Sequence, residues 1–242
     1  MINLKCTDVR ALPGDCAFLI DDGKTAILYD TGFGFTGYTI ADNIKKELGD
    51  RSLDYILLTH SHYDHVLAAP YIIKRYPMAK IIAGEYAKTI FEKPSARAIM
   101  RDLDRKYART CGVTEYEDLI DELRVDITVK DGDTVVCGDM SFTAINLPGH
   151  TKCSVGFYLN ENNFLLGSET LGVYFGGDSY LPFYLVGYKM TLDSFEKVEN
   201  LHVENILLPH YGVVKGEEAR FYLKRAKQAV IDIADEMHRL DM

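Results

Sequence analysis

Nowhere in this sequence do about 18 apolar residues run uninterrupted, the length needed to cross the hydrocarbon core of a bilayer, so a membrane-spanning helix is excluded. The start, Met1-Ile2-Asn3-Leu4-Lys5-Cys6-Thr7-Asp8, lacks the basic stretch and following apolar stretch of a secretory leader, and the expectation is a cytoplasmic protein. Paired cysteines are missing as well. Cys6, Cys16, Cys111, Cys137 and Cys153 are dispersed and without CxxC spacing, which argues against a disulfide framework or a cysteine zinc cage and leaves reduced, mostly buried thiols. Nor is there a surplus of positive charge. With 27 basic against 36 acidic residues the formal net charge is -9, a field that repels phosphate backbones and anionic lipid, so neither nucleic acid nor membrane is the expected partner. Proline- or serine-rich linkers and low-complexity tracts are also absent.

What is present is a globular composition. Hydrophobic residues make up 47% and charged residues 26% of 242, enough to build a sizeable core. Cys16 to Ile20 and Thr25 to Tyr29 are short apolar runs separated by Asp21-Asp22-Gly23-Lys24, which predicts a hairpin ending at Asp30-Thr31-Gly32. Ile40, Ile44 and Leu48 recur every four residues before Gly49, the mark of an amphipathic helix with a glycine stop. Leu53 to Leu58 reads as a buried strand. Residues 84–123 turn helical, with Pro94 as a breaker and Thr114-Glu115-Tyr116-Glu117 spaced as a capping box before another helix. Strand-like runs then resume at 127–129, 134–136, 142–145, 155–159, 163–166 and 205–208, with helices near 192–201 and from about Glu217. Two similar series of strands and helices, roughly 1–125 and 126–242, predict an α/β chain whose halves form one domain over 1–242, with a helical insertion at about 84–123.

Three of the seven histidines, His60, His62 and His65, fall within six residues, with Asp64 among them. Imidazole and carboxylate together suit zinc, iron or manganese, whereas calcium and magnesium sites use oxygen alone. The run follows a buried strand directly, at the carboxyl end where α/β folds place their sites. His150, in Pro148-Gly149-His150-Thr151, and His210, in Pro209-His210-Tyr211-Gly212, each follow an apolar strand or turn and are further candidate ligands. His202 and His238 lie in helix-like surroundings and are expected at the surface.

Taken in order, Asp30-Thr31-Gly32, the HxHxDH run at 60–65, Pro148-Gly149-His150-Thr151, Ser168-Glu169-Thr170 and the late His210 resemble the motifs of the metallo-β-lactamase superfamily. The resemblance implies a four-layer αββα sandwich and two divalent transition-metal ions, zinc first, with iron or manganese as alternatives. It places His60, His62 and His150 on one ion and Asp64, His65 and His210 on the other, with Asp30 orienting the ligand loop through hydrogen bonds. Glu169 stands where most members with two metals carry a bridging aspartate, and Asp178 in Gly176-Gly177-Asp178-Ser179 is a rival for that role. Val66-Leu67-Ala68-Ala69 and Lys152-Cys153 also depart from the usual neighbours of the ligands.

The activity so implied is hydrolysis of an ester, thioester or lactone in a small-molecule substrate by a metal-held hydroxide, with Asp64 steering the nucleophile and shuttling its proton. Tyr63 and Tyr188 are candidates to hydrogen-bond a developing oxyanion. The aromatic segment 172–188 either lines a substrate pocket or packs on the core, and Cys153 is expected to be a small buried residue. Two other functions stay open, the first of which shares the fold and ligand order. A di-iron oxidoreductase or gas sensor would call for a glutamate at the position of His62 and a flavin domain for which the chain has no room; a non-catalytic metal-binding regulator would hold metal without turnover.

Overall fold

In the computed structural model, which describes residues 1–240, the turn around Gly23 (φ 91°) closes the predicted hairpin. Strands β2 (Phe18–Asp21) and β3 (Ala26–Tyr29) pair antiparallel, with β1 (Lys5–Asp8) added at the edge. From β3 the sheet continues in parallel through β4 (Tyr55–Leu58), β5 (Lys80–Gly84) and β6 (Ile127–Val129), giving the order β1-β2-β3-β4-β5-β6. The apolar runs in β3 and β4 follow from this pairing, because parallel strands bury both faces. The connections carry α1 (Gly37–Leu48), the short α2 (Tyr63–Val66), α3 (Ala69–Arg75), α4 (Glu85–Phe91) and α5 (Pro94–Thr110). Helix α1 buries Ile40, Ile44 and Leu48 as the four-residue recurrence predicts, and Gly49 (φ 61°) ends it with its N–H on the Lys45 carbonyl. These elements form one compact unit, residues 2–129 and 136–140.

Pro94 separates two helices, as expected, by opening α5 in its first turn, where its missing N–H leaves no intrahelical bond unmade. The helix expected after Thr114-Glu115-Tyr116-Glu117 does not form, and only a 3-10 turn follows at Ile120–Glu122. Glu117, which a capping box would turn back onto the backbone, instead accepts from Tyr38 and from Lys74 at 2.7 Å.

The second unit comprises residues 1, 130–135 and the chain from 141 onward. Its sheet is formed by β7 (Thr134–Cys137), of which only residues 134–135 belong to this unit, β8 (Met140–Asn146), which belongs to it from Ser141 on, β9 (Val155–Leu159), β10 (Phe164–Leu166), β13 (Asn205–Leu208) and β14 (Gly212–Lys215), ordered β14-β13-β10-β9-β8-β7, with β10 and β13 parallel. A separate hairpin pairs β11 (Val173–Gly176) with β12 (Ser179–Leu181). Helices α6 (Tyr188–Glu199) and α7 (Gly216–Leu240) contribute Phe195, Val198, Tyr222 and Val230 to a core shared with Leu165, Ile206 and Leu208 from the sheet. Both units mix strands and helices, so the α/β class expected from the sequence is the class observed. Among the described residues no helix is long and apolar enough to cross a membrane.

Candidate metal centre

In the first unit β3 and β4 lie side by side and parallel, so the residues leaving their carboxyl ends, Asp30 and Thr59, emerge together. Asp30 takes a left-handed backbone conformation (φ 52°), tolerated best by glycine and by short polar side chains that bond locally. Its carboxylate is fully buried. One oxygen, Oδ1, accepts the Thr59 backbone N–H at 2.8 Å, while Oδ2 meets the Thr59 hydroxyl at 2.8 Å, His65 Nδ1 at 2.8 Å and the Cys16 thiol at 3.5 Å. The turn is held from its other side too, because the Thr31 N–H and hydroxyl donate to the His65 carbonyl at 2.7 and 2.9 Å.

His60 follows directly after Thr59, His62 precedes α2, and Asp64 and His65 lie within it. His60 and His65 are fully buried, and the His60 ring lies 4.6 Å from that of His62 and 4.1 Å from that of His65. Burial on its own would lower the His65 pKa, but Asp64, Asp30 and Cys16 hold it well above its ordinary value. The field here favours a positive charge. Tyr63 packs its ring against Phe33 at 5.6 Å, and burial with the nearby Asp64 raises its phenol pKa, so it is a poor proton source at neutral pH.

In the second unit His150 emerges from the turn at Gly149 (φ 149°), where a Cβ would sit 2.2 Å from Thr191 Oγ1, so only glycine fits. The imidazole is fully buried and its Nδ1 lies 2.8 Å from the Phe183 carbonyl, to which it donates. That bond leaves Nε2 facing Glu169 Oε2 at 2.8 Å. The other carboxylate oxygen, Oε1, meets His210 Nε2 at 3.2 Å. Glu169 is 4% exposed and opens a 3-10 turn, while His210, like Asp30, is left-handed (φ 62°). A neutral imidazole nitrogen with its proton on Nδ1 and a carboxylate oxygen both present lone pairs, so their close approach calls for a proton or a cation between them. These donors fit a divalent transition-metal ion.

Within each unit the sequence-predicted residues are therefore grouped: His60, His62, Asp64 and His65 with Asp30 in the first, His150, Glu169 and His210 in the second. The rival Asp178 is elsewhere, its side chain 86% exposed and paired with Arg225 at 2.7 Å. Tyr188 opens α6 and packs on Tyr184 at 5.9 Å. His202 and His238 are exposed, as expected, and Cys153 is buried with its sulfur 3.2 Å from the Thr151 hydroxyl. The aromatic segment divides: Tyr174 is buried against Tyr180 and Tyr222, whereas Phe175 is 64% exposed. Three participants escaped the sequence. The Phe183 contact is made by a main-chain carbonyl, which has no side-chain signature; Cys16 shows its partner only once the strands are paired; Thr59 could have been singled out by its place beside His60.

A family model described as the metallo-beta-lactamase superfamily matches residues 12–210. The chain is 25% identical over 181 residues to the metallo-beta-lactamase fold-containing protein ST1585 of Sulfurisphaera tokodaii, covering 72% of this chain and 66% of that one. It is 24% identical over 222 residues to the hydroxyacylglutathione hydrolase GloC of Haemophilus influenzae, covering 90% and 96%. It is 26% identical over 164 residues to the atrochrysone carboxyl ACP thioesterase dmxR1 of a Cryptosporiopsis species, covering 66% and 40%. The crystal structure of ST1585 from Sulfolobus tokodaii matches with a TM-score of 0.64 and 22% identity, over 86% of this chain and 78% of that one, and this likeness shows the fold.

Proposed function

This chain belongs to the metallo-β-lactamase superfamily, and from that premise we propose that it is a metal-dependent hydrolase of esters, thioesters or lactones, with thioesters the leading class. In this proposal His60, His62 and His150 would hold one divalent ion and Asp64, His65 and His210 a second, with Glu169 as the candidate to contact both. Zinc is the ion proposed, with iron or manganese as alternatives. The single observation that carries metal binding is the opposition at Glu169 Oε2 of the His150 Nε2, 2.8 Å away, which holds a lone pair when the Nδ1 proton is committed to the Phe183 carbonyl; His210 Nε2 approaches the other oxygen at 3.2 Å. When bound, two such ions would bring the pKa of a water molecule close to neutrality and polarise a substrate carbonyl.

The remaining work falls to the chain's own groups. Asp64 is 3.7 Å from His65 Nε2 and partly exposed, so its carboxylate can take the proton released by the attacking water and pass it to the leaving group. A thiolate leaving group departs with little help from an acid, so no strong acid is required of this site. Thioesters are further supported by the names of two relatives, a hydroxyacylglutathione hydrolase and an ACP thioesterase. A single domain over 1–242 is proposed because the family match runs across both units, and a reducing, cytoplasmic setting because the five cysteines are dispersed and none is in a disulfide among the described residues.

A panel of thioesters, lactones and phosphodiesters assayed with zinc-loaded protein tests the proposal. His60→Ala and His150→Ala are each expected to lower kcat/KM at least about 100-fold while the far-UV circular dichroism stays unchanged. Undiminished turnover in either variant, or rapid oxygen consumption by iron-loaded protein without hydrolysis, would overturn it.

A further inference from the structure

The hydrogen bonds around Asp30 allow proton positions to be deduced for two buried imidazoles. Backbone N–H groups only donate, and a carboxylate only accepts, so Asp30 receives a proton from every partner it has among these contacts. The one hydroxyl proton of Thr59 is therefore committed to Asp30 Oδ2, 2.8 Å away. Thr59 Oγ1 also lies 2.9 Å from His60 Nδ1, and with its proton already placed it can only accept there. His60 thus carries its proton on Nδ1. His65 Nδ1, 2.8 Å from the same Oδ2, donates as well. Both imidazoles are left with Nε2 as the ligating atom.

We propose that Thr59 is a positioning residue: its hydroxyl links His60 to the carboxylate oxygen that also orients His65, so that Asp30 Oδ2 sets the tautomer and ring orientation of two imidazoles at once. The link to metal binding rests on the hydrolase reading above, in which these two histidines serve different ions; the hydrogen-bond relay itself does not. Asp30 is suited to the task because it is fully buried and its backbone is fixed by the Asp30 N–H bond to the Leu57 carbonyl at 2.9 Å. The Cys16 thiol, 3.5 Å from Oδ2, adds a weak third donor to that oxygen and limits its freedom to turn. Loss of such an outer hydrogen-bond partner typically weakens a metal site about 10- to 100-fold. A change at Thr59 should reach His60 alone, whereas a change at Asp30 should reach both rings.

Thr59→Val removes the hydroxyl at nearly constant shape, and Thr59→Ser restores it. Long-range nitrogen-proton NMR correlations of the metal-free protein report which ring nitrogen of each histidine carries the proton. The wild type and Thr59→Ser should show His60 protonated on Nδ1, and Thr59→Val should move His60 toward the Nε2-protonated form while His65 is unchanged. In zinc competition titrations Thr59→Val should lose about 10- to 100-fold in affinity at one site, with Thr59→Ser within about threefold of wild type. A wild-type His60 protonated on Nε2 would overturn the proposal without any variant. So would a Thr59→Val protein with unaltered tautomer and zinc affinity, or equal losses in Thr59→Ser and Thr59→Val. Absence of zinc binding by the wild type would sink the metal-hydrolase reading, and the NMR result would still decide the role of Thr59.

Discussion

Glu169 concentrates the chemistry of the second unit in one side chain. It is nearly buried, its two oxygens are split between His150 and His210, and the alternative carboxylate, Asp178, is engaged with Arg225 at the surface. An aspartate at 169 would shorten the side chain by one carbon-carbon bond, about 1.5 Å, and could not keep both approaches from the same backbone. Glu169→Asp is therefore expected to weaken one metal ion and slow turnover even though it brings in the residue that the family resemblance leads one to expect there. Glu169→Gln should weaken binding further, because it removes the negative charge that offsets the cations. Metal titrations paired with rates check both variants, and unchanged affinity and turnover in the two would take Glu169 out of the ligand set.

At the scale of elements, the insertion is tied to the loop after β3 by a buried carboxylate on α5. Asp104 Oδ1 accepts the Gly34 N–H at 3.0 Å and Oδ2 accepts the Tyr116 hydroxyl at 2.5 Å. Burial pushes its pKa up to about 6, against the lowering effect of those bonds and that of the Phe35 N–H. A folded-state pKa raised above the unfolded 3.8 means that the native state binds this proton more tightly. The cost of ionising it is fully present above about 6 and fades as pH falls toward 3.8. Asp104→Asn should then flatten the pH dependence of Tm within that window, whatever it costs to place an amide NH2 opposite the Gly34 N–H or the Tyr116 hydroxyl. Identical slopes for variant and wild type would show that Asp104 stores no such cost. Legibility in the sequence followed how local the determinants are. The β2-β3 hairpin, α1 and the HxHxDH segment are specified by neighbouring residues and were readable. The edge strands β1 and β14 and the β11-β12 hairpin depend on distant partners, as when Tyr174 and Tyr180 pack on Tyr222 of α7. The false capping box belongs to the same class, since Glu117 is claimed by Tyr38 and Lys74 from far along the chain.

For the molecule as a whole, a formal charge of -9 and two carboxylates among the proposed ligands would make bound cations a source of stability. Metal that binds the folded chain alone at 1,000 times its Kd would add about 4 kcal/mol, so chelation should lower Tm and zinc should restore it. Of the proposed ligand residues, the HxHxDH spacing and the turns before His150 and His210 mark six in the sequence, whereas Glu169 is offered only by the family resemblance; their supporting contacts became visible only in three dimensions. The central claim is a hydrolytic centre with two metal ions, and stepwise zinc reconstitution of chelated protein, with bound metal and thioester hydrolysis measured on the same samples, tests it most directly. The expected result is two ions per chain, with hydrolysis absent from the metal-free protein and maximal at the second equivalent; saturation at one ion per chain, or hydrolysis that survives complete removal of metal, would contradict it.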